Sequence, residues 1–447
     1  MTESAAGAPR PAYPIRPITP DEFDRFELVE QHGFNEGPMT EDDRRLVLTR
    51  FEFDRSLAAF DGGTPIGTAG AFSFRLSVPG SELLPAAGVS WVSVLPTYRR
   101  CGVLTSIMRR QLEDVRDRSE PIAVLWASEA AIYSRFGYGR ASWTFRFTVR
   151  RGEGALAPNV VPDRGLVLRL AEPSAALAEL AKVYDSVLAG RPGLFVRNEA
   201  WWQRTIYDPP EDRHGASPLR CLLAEDDSGP RGYALYSAIG LPDAEPFLPA
   251  AAITVRELMA VDPAASAALW TALLSRDLTS EFRARLRPVD DPLLHQLADP
   301  RRARPQLADG LWVRIIDVPA ALAGRRYSCP VDVVIEVRDD ILPANAGRWR
   351  LTTSASAGTA SFGAAGASAA AAGAGEAGRG LAASCVRVTS AADLVLDVTQ
   401  LGAAYLGGTR LGTLAEAGFV TELRPGAVRQ LSAAMSWDPA PWCPTIF

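Results

Sequence analysis

The run Val92-Ser93-Val94-Leu95-Pro96-Thr97-Tyr98-Arg99-Arg100-Cys101-Gly102-Val103-Leu104-Thr105 has the residue types of an anion-binding site. Apolar alternation ends at Val94 and a Pro-containing connection follows. Helical apolar spacing then begins near Arg100, with Val103, Leu104, Ile107, Met108, Leu112 and Val115. The first turn of a helix leaves backbone N–H groups without intrahelical partners, at the electropositive end of the helix dipole. Gly102 removes the side chain that would block a phosphate approaching those donors. The chemistry on offer is the binding of a pyrophosphate. A surface turn between a strand and a helix shows the same pattern by chance, so the neighbouring elements decide its meaning.

Those neighbours form a consistent unit. Residues 13–34 read as a short strand and then an amphipathic helix, opened by Thr19-Pro20 and carrying Phe23, Phe26, Leu28 and Val29. Residues 56–60 and 66–78 flank Asp61-Gly62-Gly63 as a hairpin, and 89–94 form the strand entering the anion site. Ser119-Glu120-Pro121 stops the helix, and 122–127 reads as a buried strand. The opening recurs: Leu168-Arg169-Leu170-Ala171-Glu172-Pro173 repeats the Arg and Pro spacing of Ile15-Arg16-Pro17-Ile18-Thr19-Pro20. A second hairpin at 219–224 and 232–238 and a strand at 253–261 complete a second unit in tandem. A Gly- and Pro-rich linker lies at 152–165, and a second boundary falls near Val318, after a strand at 311–316. The expected units are 1–151, 152–317 and 318–447. In the last, 330–338 and 348–353 alternate as half-buried strands, and the Ala/Gly/Ser tract 354–380 reads as a long mobile hairpin connection or, less well, a flexible helix.

Composition narrows the class. A length of 447 residues exceeds what one core usually supports, and 47% apolar with 22% charged residues predicts packed rather than disordered structure. A net charge of -5 lacks the basic excess that drives nucleic-acid binding. The cysteines Cys101, Cys221, Cys329, Cys385 and Cys443 are scattered and odd in number, which predicts reduced thiols in a cytoplasmic protein. His32, His214 and His295 are too dispersed for a metal site or a triad, and no apolar run is long enough to span a membrane.

Taken together, the Val-x-Val-x-Pro strand and Arg99-x-x-Gly102 resemble the acetyl-CoA motif of the GNAT N-acetyltransferases, with Leu104 departing from the final small residue. After the strand at 122–127, Ser128-Glu129-Ala130-Ala131-Ile132-Tyr133-Ser134-Arg135-Phe136-Gly137-Tyr138-Gly139 resembles that class's last motif. Its pattern looks specifically like the Eis (enhanced intracellular survival) acetyltransferases. Asp339-Asp340-Ile341-Leu342-Pro343-Ala344-Asn345-Ala346-Gly347-Arg348-Trp349 is similar to the sterol-carrier-type domain of the same family. The resemblance implies an α/β (α+β) architecture: tandem GNAT domains followed by a sterol-carrier-protein-like α+β domain. It also implies acetyl-CoA as co-substrate, held by the strand-to-helix run with Ser128 and Glu129, and no metal. The acceptor it implies is a small-molecule or peptide amine such as an aminoglycoside, lysine or polyamine, and the assembly a homohexamer.

Acetyl transfer to an amine needs a deprotonated nitrogen, a polarised thioester carbonyl and a proton for the departing thiolate. The resemblance places Tyr133 as the acid, which a phenol of pKa about 10 allows; without the flanking motif it would read as a core tyrosine. Residues 89–94 offer no carboxylate or imidazole as base. The family's base is the C-terminal α-carboxylate, carried here by Phe447, and Pro441-Trp442-Cys443-Pro444-Thr445-Ile446-Phe447 is apolar and Pro-stiffened. Simple hydrophobic docking of the tail explains the same composition. From Asp21 to Asp43 there are nine Asp or Glu residues and one basic residue, Arg25, which is either a field attracting polycations or a solvated helix face. Phe34 and Glu36 are the candidate acceptor contacts. The second unit has Asp262-Pro263 where the first has Arg-x-x-Gly; an Asp there caps a helix and repels pyrophosphate, so this unit reads as a degenerate scaffold. The competing function is a lipid or sterol carrier built on degenerate GNAT units, and a third is a structural oligomer.

Overall fold

A computed structural model describes residues 13–160, 163, 165–241, 251–353 and 380–447. The expected Ala/Gly/Ser connection at 354–380 lies outside the described residues except for Gly380. Three sheets organise the rest. The first runs in the order β1 (Ile15–Pro17), β2 (Leu57–Asp61), β3 (Thr64–Val78), β4 (Glu82–Val94), β5 (Ile122–Trp126), β14 (Leu311–Ile315) and β6 (Gly139–Arg140). Helices α1 (Phe23–Phe34) and α2 (Glu41–Leu48) precede the β2–β3 hairpin, and α3 (Val103–Asp117) joins β4 to β5. The short helix α4 (Ala130–Tyr133) follows β5. Asn35, in the left-handed region at φ +58, ends α1.

The second sheet repeats the plan with β8 (Val167–Ala171), β9 (Arg220–Asp226), β10 (Gly229–Gly240), β11 (Ala251–Ala260) and β12 (Thr279–Pro288), flanked by β7 (Trp143–Arg150) and β13 (Gln306–Asp309). Helices α5 (Leu177–Leu188), α6 (Glu199–Ile206) and α7 (Pro263–Leu274) occupy the places of α1, α2 and α3, and α8 (Leu293–Gln296) follows β12.

The two units exchange strands. The strand expected to close the second unit, 311–316, lies instead in the first sheet, between β5 and β6. All five residues of β14 are buried, so it needs cover on both faces, which a central position supplies. In return β7 pairs with β12 in the second sheet. The divisions at 151/152 and 317/318 therefore cut sequence and not sheets.

The third unit holds α9 (Val318–Ala323), a sheet ordered β17 (Ala383–Arg387), β16 (Gly347–Thr353), β15 (Asp332–Arg338), β18 (Leu394–Asp397), β19 (Val420–Glu422), and helices α10 (Val398–Ala404), α11 (Leu411–Glu416) and α12 (Ala427–Met435). Its core is continuous with the first sheet: Phe72, Phe74, Val124 and Val313 share one cluster with Val333, Leu351, Leu401 and Tyr405. The Asp339 to Trp349 motif makes the joint. Asp339 accepts from Arg314 of β14 at 2.8 Å, with both side chains at most 1% exposed, and from Asn345 at 3.0 Å. Asn345 in turn bonds Ile315 O and Val318 N. A buried pair without other partners is expensive, and these hydrogen bonds satisfy the carboxylate inside the joint.

Candidate active site

Strands β4 and β5 are parallel and pair only from Ala86↔Ile122 to Gly88↔Val124. Beyond that point they part. The β3 side of β4 is also interrupted: Thr68 faces Ser93 and Gly70 faces Ser90, so Trp91 and Val92 together oppose one residue. Trp91 takes φ +57 to form this bulge. The result is a cleft of about 490 Å³ that runs from the end of β4 to α4.

At one end lies the N-terminus of α3. Its N-cap is Gly102 at φ +88, with no side-chain cap, and a Cβ built there would meet nothing within 4 Å. Glycine is required for the backbone angle, and the space beyond it is open. The first chain hydrogen bond of the helix runs from Ser106 N to Gly102 O, leaving the amides of Val103, Leu104 and Thr105 without helical partners. The helix starts at Val103, three residues later than the spacing suggested, because Arg100 at φ +63 and Gly102 keep the chain in a turn.

At the other end is Tyr133, only 5% exposed, its ring edge-on to Tyr138 at 6.1 Å. Burial pushes the Tyr133 phenol above its ordinary value, the Ser128 hydroxyl works in the opposite direction, and Glu30 and Glu129 add to the rise. The phenol therefore stays protonated at neutral pH.

Of the residues expected to hold the cofactor, Val92, Ser93, Val94, Arg99, Arg100, Gly102, Val103, Leu104, Thr105, Ser128 and Glu129 line this one cleft, together with Phe34 and Tyr133. Cys101 does not; its side chain packs toward the cluster of Ala59, Ile66 and Ile107. Glu36 lies just past the end of α1, outside the lining. Phe447 is also outside the lining. Its ring meets Phe74 at 4.9 Å, and its neighbour Thr445 accepts through its carbonyl from Trp126 Nε1 at 2.8 Å. Leu125 of β5 shares a cluster with Tyr133, and the adjacent Trp126 packs on the core that includes Phe447, so the tail sits across the end of β5 from Tyr133.

The cleft also contains Gly33, Tyr98, Ile132 and Arg135, which sequence reasoning did not select. A Cβ at Gly33 would fall 1.8 Å from Ser93 Oγ, so only glycine lets α1 approach β4 this closely. Glu30 shares that face of α1, one turn from Gly33 and Phe34, a spacing that could have been read from the sequence. It accepts from Thr68 Oγ1 at 2.9 Å. Burial pushes the Glu30 carboxyl up to about 7, the Thr68 hydrogen bond pulls it down, and Glu36 adds to the rise.

Four of the nine acidic residues between Asp21 and Asp43 are ion-paired. Glu22 pairs with Arg16, Asp24 and Glu27 with Arg44, and Asp42 with Arg45, while the Thr40 hydroxyl caps α2 by accepting from Asp43 N. Neither Glu30 nor Glu36 takes part in an ion pair among the described residues. A larger cavity of about 660 Å³ lies between α2 and α6 but contains neither Tyr133 nor the start of α3. Among the described residues no group of three His, Cys, Asp or Glu could hold a metal ion, and no helix is long and apolar enough to cross a membrane.

A free helix N-terminus, a bulged strand parting from its parallel neighbour and a buried tyrosine define a GNAT-type acetyltransferase. Family models agree: residues 14–141 and 193–315 each match an acetyltransferase (GNAT) domain, and 318–444 match a sterol carrier protein domain. An N-acetyltransferase of Streptomyces avermitilis is 43% identical over 97% of this chain and 99% of its own length. The N-acetyltransferase Eis of Mycobacterium tuberculosis is 32% identical over 88% of this chain and 89% of its own. The crystal structure of Eis1 from Mycobacterium abscessus, 31% identical, aligns over 97% of this chain and 100% of that one with a TM-score of 0.77. The chain belongs to the Eis family of N-acetyltransferases.

Two predictions follow from the cleft's geometry. Gly102→Glu puts a carboxylate in front of the α3 amides and strains the backbone by about 1–2 kcal/mol. Calorimetry should detect no CoA binding to a protein that still melts cooperatively; unchanged affinity would remove the anion site from α3. For Glu30 the raised value means the folded state binds the proton more tightly than the unfolded chain. That stabilisation is complete below the unfolded value of about 4.5 and lost as pH rises through about 7. Glu30→Gln should therefore be more stable than the wild type at pH 8 by up to about 3 kcal/mol, with the gap closing toward pH 4. Thermal melts across that range check the sign.

Proposed function

We propose that this N-acetyltransferase moves the acetyl group of acetyl-CoA to an amine of a cationic acceptor, aminoglycoside-like or a lysine or polyamine, within the β4–β5 cleft. The observation that carries the reading is the presence, in one cleft, of the free amides of α3 at one end and the protonated phenol of Tyr133 at the other. The pyrophosphate rests on the amides of Val103, Leu104 and Thr105 beside Arg99 and Arg100. Past Gly88 the unpaired edge of β4 supplies backbone amides toward the thioester carbonyl, where negative charge develops.

The amine nitrogen attacks the thioester carbon, and the C–S bond breaks with its electron pair going to sulfur. Tyr133 gives its proton to the sulfur, and the nitrogen's proton leaves to a base. That base, in this reading, is the α-carboxylate of Phe447, ionised at neutral pH with an ordinary pKa of about 3.5, acting through the gap where β4 and β5 have parted. Phe34 and Glu36 contact the acceptor. The carboxyl of Glu36, outside the ion pairs of the described residues, supports a cationic acceptor. The resemblance extends the proposal to a homohexamer, and the scattered cysteines to the cytoplasm.

The test needs no side-chain change. Residues added after Phe447 turn its carboxylate into an amide, so a C-terminal extension should lower turnover of a diamine by about 10²-fold or more, and an N-terminal extension should not. Light scattering verifies that both forms assemble alike. Equal turnover in both would move the base to an internal carboxylate, with Glu30 the first to examine.

A further inference from the structure

The second sheet has the same parting strands as the first, and they are closed. Strands β11 and β12 pair in parallel from Ala251↔Thr279 to Val255↔Ala284 and then diverge. Arg287 of β12 spans the opening by donating to Leu258 O at 2.7 Å, while its Nε bonds Asp291 at 2.6 Å. The indole of Trp442 donates to Leu286 O, lies 5.1 Å from the Arg287 guanidinium and is buried with Tyr233 and Met259. The start of α7 is closed as well: Asp262 accepts from the amides of Ala264 and Ala265 at 2.8 and 3.0 Å and pairs with Arg231. Trp442 of the C-terminal segment thus covers the place where β11 and β12 diverge.

One cluster in that domain reaches the first. Glu257 stands beside the bulge of β11, where Leu235 faces Glu257 and Tyr236 faces Val255. It binds Arg197 through two hydrogen bonds of 2.9 and 2.6 Å, with the side chains 1% and 4% exposed, and also accepts from Tyr233. The same terminal nitrogen of Arg197 donates its second hydrogen to Thr445 Oγ1 at 2.7 Å. A guanidinium is a rigid planar fork, so fixing two of its bonds on Glu257 fixes the direction of the third. Residues flanking Arg197 are tied to β3 of the first sheet: Ser77 N bonds Leu194 O at 2.7 Å and Val196 N bonds Arg75 O at 3.0 Å. Thr445, gripped through its hydroxyl by Arg197 and through its carbonyl by Trp126, is the point where both domains hold the tail.

We propose that the second GNAT domain, closed to cofactor, serves as the seat of the C-terminal tail, and that Arg197, oriented by Glu257, is a positioning residue that sets Thr445, and through it Trp126 and Phe447, at the acceptor side of the first domain. This rests on the reading of the first-domain cleft as the transferase site. Arg197 touches neither reactant, so its effect belongs in kcat and not in acetyl-CoA binding.

Thr445→Val removes the accepting hydroxyl with little change of shape, and Thr445→Ser retains it. Arg197→Lys keeps the charge opposite Glu257 but loses the fork. Variants that melt cooperatively are compared for kcat and for acetyl-CoA KM. Thr445→Val and Arg197→Lys should each lose roughly tenfold or more in kcat, as misplacement of about 1 Å does elsewhere, with acetyl-CoA KM unchanged and Thr445→Ser restoring the rate. Because Thr445 acts through the tail's carboxylate, a double variant with Thr445→Val and residues added after Phe447 should lose no more rate than the extension alone. A normal kcat in Thr445→Val, or losses that multiply in the double variant, would overturn the positioning role and leave the transferase reading intact. A wild-type protein inert toward every amine would overturn the transferase reading, and the seat's role with it.

Discussion

Strands β4 and β5 hydrogen-bond across three residue pairs and then separate, and the rest of the site depends on that separation. A parallel sheet normally satisfies every backbone group along its length. Here the bulge at Trp91 and the close approach of α1 at Gly33 hold β4 away, so that the α3 N-terminus, the unpaired edge of β4 and Tyr133 face a common space. On its other side β5 is secured by five residues of β14.

The units are joined by buried charges as well as by apolar packing. Arg314 and Asp339 tie the third unit to the exchanged strand, Arg197 and Glu257 tie the tail to the second, and Arg55 and Glu120 brace the first, with side chains 3% and 8% exposed. Such pairs add little net stability because both ions lose their hydration. What they do add here is direction: each guanidinium satisfies a carboxylate and one further acceptor, Ile315 O, Thr445 Oγ1 and Ser73 Oγ in turn. A slip of one unit against another would leave a charge buried without its partner. That makes the relative placement of the tail and the cleft specific.

The parts of the site encoded by contiguous backbone constraints were legible in the sequence. Gly102 removes a side chain just before a helix start, and Tyr133 stands in a run that resembles the family's last motif, so both could be named without a structure. Asp262 capping α7 was equally local. What depends on distant partners was not legible. The strand at 311–316 announces its burial but not which sheet receives it. Arg197 and Thr445 are 248 residues apart, and nothing in either segment marks the other. The acidic stretch left two readings open because its partners lie outside it: Arg16, Arg44 and Arg45 pair with four of its carboxylates.

We propose that chemistry occurs in the first domain's cleft with Tyr133 as the acid. Replacing Tyr133 by Phe keeps the ring that packs on Tyr138 and removes only the hydroxyl. Steady-state turnover of acetyl-CoA with a diamine acceptor, measured beside acetyl-CoA affinity for the same variant, is the most direct measurement. The expected result is a kcat lower by about 10²- to 10⁴-fold with affinity unchanged. A variant that turns over at the wild-type rate throughout the accessible pH range would contradict it.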